Sequence, residues 1–291
     1  MFARTVKDLI QKNTLLRELL RIVRSRQVIL LEFPVHSQPR WGHGQPPHPE
    51  LFRLLAAQRD AYARRLRDFL ALRAALARIP LHAGRDAAQP AWVNGYFPCL
   101  DATALYGLLA QGNPARYFEI GSGYSTKFAR RAIRDHHLRT RITSVDPQPR
   151  AEIDALADEV VRQPLETLDL ATLSTLEAGD LLFFDGSHRC LMNSDVTVFF
   201  LEILPRLRPG VKVHIHDVTL PWDYPPVYIH RYYSEQYLLA AYLLARGPHL
   251  SVLLPNAFIE QDPELSAIMT PLWQAVRLAA VSGCSFWLEI S

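Results

Sequence analysis

Two short stretches of the sequence hold the side chains best suited to moving a proton. FDGSHRCLMNSD (184–195) carries Asp185 and His188, and HIHDVTLPWDYP (214–225) carries His214, His216, Asp217, Asp223 and Tyr224. An imidazole that titrates near neutrality is the usual physiological general base. His188 and His216, with Asp185 beside them, are therefore the candidate catalytic residues. His214 and His216 fall on one face of an extended segment. His214 is expected to hydrogen-bond inside a sheet rather than to act.

A third stretch, YFEIGSGYST (117–126), is an apolar run that breaks at Gly121-Ser122-Gly123 and then turns helical. Such glycines let a backbone approach a ligand closely. A dinucleotide fingerprint needs a third glycine where this sequence has Thr126, and a phosphate loop needs a Gly-Lys-Ser/Thr that is absent. No Lys or Arg lies within 121–126 to pair with phosphate, and Glu119 precedes the glycines. An acid there suits a cation. S-adenosyl-L-methionine is a cofactor with an ammonium, a sulfonium and no phosphate. Gly121 and Gly123 would approach its methionine part, and Glu119 its amino group, often through water. Asp146, one strand later, suits the two ribose hydroxyls, a role that NAD enzymes share. Leu165, beyond the third strand, would pack on the adenine. Ser122, Ser125 and Asp185 complete the expected cofactor-binding set.

The elements that must position these residues follow from hydropathy. Apolar strand-like runs at RYFEIG (116–121), TRITSVD (140–146), EVVRQ (159–163), GDLLFFDG (179–186) and GVKVHIHD (210–217) alternate with helical segments. That alternation predicts a parallel sheet covered on both faces, with LSVLLPN (250–256) and CSFWLEI (284–290) as an antiparallel edge. Four strand ends then carry acids: Glu119, Asp146, Asp185 and Asp217. Ligands of open α/β sheets bind beyond such carboxyl ends.

Upstream, residues 3–25 show helical spacing with an excess of Lys and Arg. Such a helix suits an anionic membrane surface, but packing on the catalytic domain or on a second copy in a homo-oligomer is the expected use. SQPRWGHGQPPHPE (37–50) reads as a loop whose His43 and His48 sit in solvent. Residues 49–79 read as one long helix, and 86–101 as an irregular connector. The division expected is an N-terminal helical extension over 1–89 and a catalytic domain over 90–291. The 291 residues are 49% hydrophobic with a net charge of +3, not gathered in one basic tract, so no nucleic-acid partner is expected. Cys99, Cys190 and Cys284 are far apart, which gives neither a zinc knuckle nor a disulfide framework. The first residues lack an apolar signal core, so a cytoplasmic protein is expected.

Taken together, YFEIGSGYST, SVDPQPR, LLFFDGSH and VHIHDVTLPWDYP resemble the successive motifs of class I S-adenosylmethionine-dependent methyltransferases, nearest to the bacterial subgroup called methyltransferase domain 24. The resemblance covers roughly 90–255. It implies a Rossmann-like, doubly wound seven-stranded mixed sheet of order 3-2-1-4-5-7-6, and methyl transfer by in-line displacement at sulfur. The acceptor implied is a small-molecule or sugar/glycan hydroxyl. In catechol-type relatives, acids at the ends of strands four and five bind Mg²⁺; Asp185 and Asp217 match those places as ligands of a divalent metal. Val218 and His188 stand where that pattern has Asn and Lys, and imidazoles nearby suit a transition metal better. The alternatives weighed are an NAD-dependent oxidoreductase and a catalytically inactive S-adenosylmethionine-binding scaffold module.

Overall fold

The computed structural model describes residues 33, 35–149, 151–245 and 250–291. The basic helix expected over 3–25, and any membrane-surface contact by it, lie outside the described residues. The chain divides into two units at Gln38–Pro39, and every described helix and strand belongs to the second. None of the described helices is long and apolar enough to cross a membrane.

The strands are β1 (Arg116–Ile120), β2 (Arg141–Val145), β3 (Glu159–Val161), β4 (Leu181–Phe184), β5 (Lys212–Ile215), β6 (Leu250–Pro255) and β7 (Phe286–Ile290). They form one sheet of order β3-β2-β1-β4-β5-β7-β6. β1 to β5 run parallel, and β7 lies antiparallel between β5 and β6. The expected order and its antiparallel edge are what the structure has. The central runs are apolar because both faces are covered: all four residues of β4 are buried. In-register pairing of Ile120 with Phe184, and of Phe184 with Ile215, brings the carboxyl ends of β1, β4 and β5 level.

The helices depart more from expectation. The long helix over 49–79 is three: α1 (Pro49–Ala56), α2 (Arg59–Leu70) and α3 (Arg73–Leu76). Gln58 (φ −106°, ψ 8°) and Leu72 (φ −85°, ψ 4°) leave the helical region at the breaks. These helices pack into the same unit as the sheet. Tyr62, Leu66 and Phe69 are fully buried, and the Phe69 ring fills the space beside Gly107, where a Cβ would meet it at 2.3 Å. Gly107 lies in α4 (Cys99–Gly112), whose first three residues close the stretch read as a connector. Apart from Asp101 and Thr103, the buried face of α4 is apolar, and the helix is buried along most of its length, as a core helix must be. Amphipathic α5 (Tyr124–His136) follows the glycine loop.

After β4, α6 (Asp195–Val198) is short and passes into a π turn at Phe199–Ile203 and a 3₁₀ turn at Leu204–Arg206. Pro205 lacks the N–H that an α turn needs. Among the described residues between β2 and β3 the one helical piece is a 3₁₀ turn at Asp154–Leu156. α7 (Glu235–Leu244) starts late, after a 3₁₀ turn at Pro226–Arg231 and a left-handed Tyr232 (φ 53°). The loop before α1 is not solvated throughout. Asp223 accepts the backbone N–H of Arg40 and Trp41 at 2.6 and 2.9 Å. His43 Nε2 bonds the Asp223 carbonyl at 3.0 Å, and His48 caps α1.

Candidate active site

The glycine loop is fixed from below by β4. Gly121 has φ +79°, and a Cβ there would lie 1.9 Å from the Asp185 carbonyl oxygen. Only glycine allows that conformation and that contact. Gly123 differs: a Cβ there would meet nothing within 4 Å. The open space over Gly123 would serve as a cradle for a cofactor. Thr126, at the place of the missing third glycine, is buried. Its hydroxyl accepts from Gly123 N at 3.1 Å and donates to Glu119. A side chain that ties the loop thus stands where a dinucleotide fold needs close helix–strand contact.

Glu119 is fully buried, with Tyr117 Oη donating to Oε1 at 2.8 Å and Thr126 Oγ1 donating to Oε2. Burial lifts its carboxyl to about 7, against the hydrogen bonds of Ser125, Thr126, Tyr117 and Ser122, which favour the ionised form. Both oxygens face inward, so Glu119 shapes the loop from beneath. Its reach to a cofactor amino group would run through water or through the loop. Ser125 is buried beside it. Ser122 donates its N–H to Asp146 Oδ2 at 2.8 Å and pairs its hydroxyl with Ser144 at 2.8 Å. Asp146 Oδ1 accepts from Gln148 N at 2.7 Å. Asp146 thus joins the end of β2 to the glycine loop and keeps lone pairs for ribose hydroxyls. Leu165 sits in the hydrophobic core at the start of a 3₁₀ turn.

Beside this loop the other sequence-predicted residues converge. His188 adopts a left-handed backbone (φ 62°) and its ring is buried. Nδ1 lies 2.8 Å from Glu235 Oε2, and Nε2 lies 3.2 Å from Asp185 Oδ1 and 3.5 Å from Asp217 Oδ2. His216 Nδ1 lies 3.5 Å from Asp185 Oδ1, and its Nε2 lies 3.5 Å from Asp101 Oδ2. Burial opposes charge on both rings. The hydrogen bonds of Asp185 and Glu235 nevertheless hold His188 well above its ordinary value. Cys284, Asp185 and Asp101 do the same for His216. Burial would raise Asp185, but the charge of His216 and the His188 hydrogen bond hold it well below the carboxylate range. Where near-neutral imidazole bases are expected, the carboxylates of separate elements thus favour the protonated form of each ring. His214 is fully buried and bonds Ser285 Oγ at 2.6 Å inside the sheet, and burial pushes it well below its ordinary value.

The pair Asp185 and Asp217 does not fit a hard divalent ion between them. The His188 imidazolium already faces both acids within 3.5 Å, and the next residue, Val218, is a buried apolar side chain. An aromatic wall adjoins this cluster. Tyr233 packs on the His188 ring at 4.5 Å, and Tyr224 and Tyr228 pack on Tyr233 at 5.7 and 5.3 Å. Arg231 lies over the Tyr228 ring at 4.1 Å. Tyr237 is 48% exposed and donates to Asp223.

Sequence reasoning missed Asp101 and the part played by Cys284. Asp101 is fully buried in the first turn of α4, 183 residues from Cys284, whose N–H it accepts at 2.9 Å. The usable signal was the strand order: β7 pairs with β5, so the residues before β7 must lie beside His216.

No curated protein matches the chain in sequence. Residues 118–218 match the methyltransferase domain family. Solved structures of similar shape include an O-methyltransferase from Bacillus cereus in complex with SAH, 18% identical, covering 78% of this chain and 90% of that one at a TM-score of 0.39. The O-methyltransferase TomG from Streptomyces achromogenes, involved in tomaymycin synthesis and complexed with SAM, is 16% identical, covering 75% and 89% at 0.42. The SAH-bound methyltransferase PaMTH1 of Podospora anserina is 18% identical, covering 86% and 100% at 0.39. At these values the likeness says nothing about acceptor or residue roles. The match to the methyltransferase domain family begins inside β1 and ends one residue beyond Asp217, so it takes in the strand ends that build this site.

Proposed function

We propose that the protein methylates a hydroxyl oxygen of a small-molecule or glycan acceptor. The observation that carries this reading is the acid–histidine cluster at the ends of β4 and β5, joined to the glycine loop by the contact of Gly121 with Asp185. S-adenosylmethionine, when bound, supplies an electrophilic methyl group on a cationic sulfur.

Methyl transfer to a hydroxyl needs alignment and a place for the released proton. Four carboxylates, Asp101, Asp185, Asp217 and Glu235, face two imidazoles. Acidic groups outnumber the rings they surround. Such a cluster favours a cation nearby and can take up a proton. Asp185 stays ionised and orients the His188 and His216 rings. Asp217 is the carboxylate that receives the hydroxyl proton, and the His188 imidazolium steadies the charge that develops on the acceptor oxygen. The aromatic wall of Tyr228 and Tyr233 borders the cluster and would line one side of a bound flat or sugar acceptor.

The test is S-adenosylhomocysteine release from S-adenosylmethionine with parallel panels of phenols, sugars and primary amines. Turnover with hydroxyl acceptors is expected. Turnover confined to amines would overturn the reading, and none in any panel would favour an inactive cofactor-binding module.

A further inference from the structure

One group of side chains next to the cluster is not explained by hydrogen bonding. Cys284 Sγ lies 3.4 Å from Asp101 Oδ2, 3.5 Å from His216 Nε2 and 3.4 Å from Asp217 Oδ1. A thiol has one hydrogen and can donate to only one of the two carboxylates, even where it accepts from His216. Asp101 Oδ2 and His216 Nε2 are themselves 3.5 Å apart. Asp101 Oδ2, His216 Nε2 and Cys284 Sγ therefore form a near-equilateral triangle. Ligands at roughly 2.0–2.3 Å from a tetrahedral ion are separated by roughly 3.3–3.8 Å, which is the spacing seen.

We infer that Asp101, His216 and Cys284 bind a transition-metal ion of the zinc class. The donor set of one carboxylate, one imidazole and one sulfur suits a borderline-soft ion and not Mg²⁺. The supports around the donors agree. Asp101 Oδ1 accepts from Asn256 Nδ2 at 2.8 Å and from Ser285 N at 2.9 Å, which turns Oδ2 toward the triangle. His216 Nδ1 faces Asp185 at 3.5 Å, the carboxylate–histidine arrangement that orients metal-bound imidazoles. The three donors come from the first turn of α4, the end of β5 and the segment before β7, and their ligand atoms all lie within 4.8 Å of one another. Three protein ligands leave a fourth position for water, as in catalytic zinc sites. On binding, the N–metal and S–metal bonds replace the N–H of His216 Nε2 and the S–H of Cys284, and both protons pass to solvent.

The inference does not rest on the acceptor assigned above, and its test reads the metal directly. The full chain is stripped with a chelator and titrated with Co²⁺, following the thiolate-to-cobalt charge-transfer absorption; zinc content of the untreated protein is measured by mass spectrometry. One equivalent with a charge-transfer band is expected. Cys284→Ser should lose the band and bind more than about 100-fold more weakly while its circular dichroism is unchanged. Asp101→Asn should retain a weakened band. Should Cys284→Ser misfold, alkylation protection decides: Co²⁺ should shield Cys284 in the native chain and leave Cys190 reactive. Absence of stoichiometric uptake, a band that survives Cys284→Ser, or alkylation of Cys284 unaffected by Co²⁺ would overturn the site. An enzyme fully active without metal uptake would overturn it too and leave the proposed methylation standing.

Discussion

Replacing Gly121 and Gly123 by alanine, one at a time, separates two jobs that one motif combines. At Gly121 the added methyl would lie 1.9 Å from the Asp185 carbonyl oxygen, and the obstacle is backbone that cannot swing aside. The positive φ adds a cost of about 1–2 kcal/mol for an L side chain. Overpacking adds about 1–3 kcal/mol. Gly121→Ala should therefore lose about 2–5 kcal/mol of stability, because the strain at β1–β4 is shared by the whole core. Gly123 has extended φ (175°) and open space, so Gly123→Ala should fold within about 1 kcal/mol of the parent. Its methyl would stand in the cradle, and S-adenosylhomocysteine affinity should fall about tenfold or more, about 1.4 kcal/mol. Urea unfolding gives the first quantity, through a shift of midpoint at constant slope; calorimetric titration gives the second. A Gly121→Ala protein as stable as the parent would refute the packing argument. A Gly123→Ala protein that binds normally would refute the cradle.

Other substitutions probe neighbouring parts. Burial lifts the Glu119 carboxyl from 4.5 to about 7, so the folded chain keeps a proton that the unfolded chain has released. That contribution to stability is fully present below the unfolded value and is lost as the pH rises through the folded one, about 3 kcal/mol in all. Glu119→Gln should therefore gain stability relative to the parent between about pH 5 and pH 8, read from paired melting curves; a constant difference would contradict the raised carboxyl. Asp217→Asn should lower kcat by about 10²–10⁴ with cofactor binding intact, measured by S-adenosylhomocysteine formation. Tyr233→Ala removes the ring packed on His188 and should raise the acceptor KM several-fold while the cofactor KM holds; equal changes in both would place Tyr233 elsewhere in the mechanism.

The sheet was legible in the sequence because its strands are continuous apolar runs bounded by polar ends, and burial on both faces demands that pattern. The acids at the ends of β1, β2, β4 and β5 could be read for the same reason. What could not be read depends on contacts between distant segments. The approach of His188 to Glu235 needs a left-handed residue at 188 and a late start of α7, neither of which periodicity reveals. The raised proton affinity of the imidazoles follows from carboxylates on separate elements, one of them Asp101 on a helix whose first turn reads as a connector. The breaks within 49–79 are not legible because Ala, Leu and Arg favour helix on both sides of each, and tertiary packing places them.

The most direct measurement is the position of a transferred methyl group. The enzyme is supplied with S-adenosylmethionine isotopically labelled at that methyl, and the product of an accepted substrate is examined by NMR. A labelled carbon bonded to oxygen, lost in Asp217→Asn and Asp185→Asn, is the predicted result. A labelled carbon bonded to nitrogen, or oxygen methylation undiminished in both variants, would contradict hydroxyl methylation by the acid–histidine cluster.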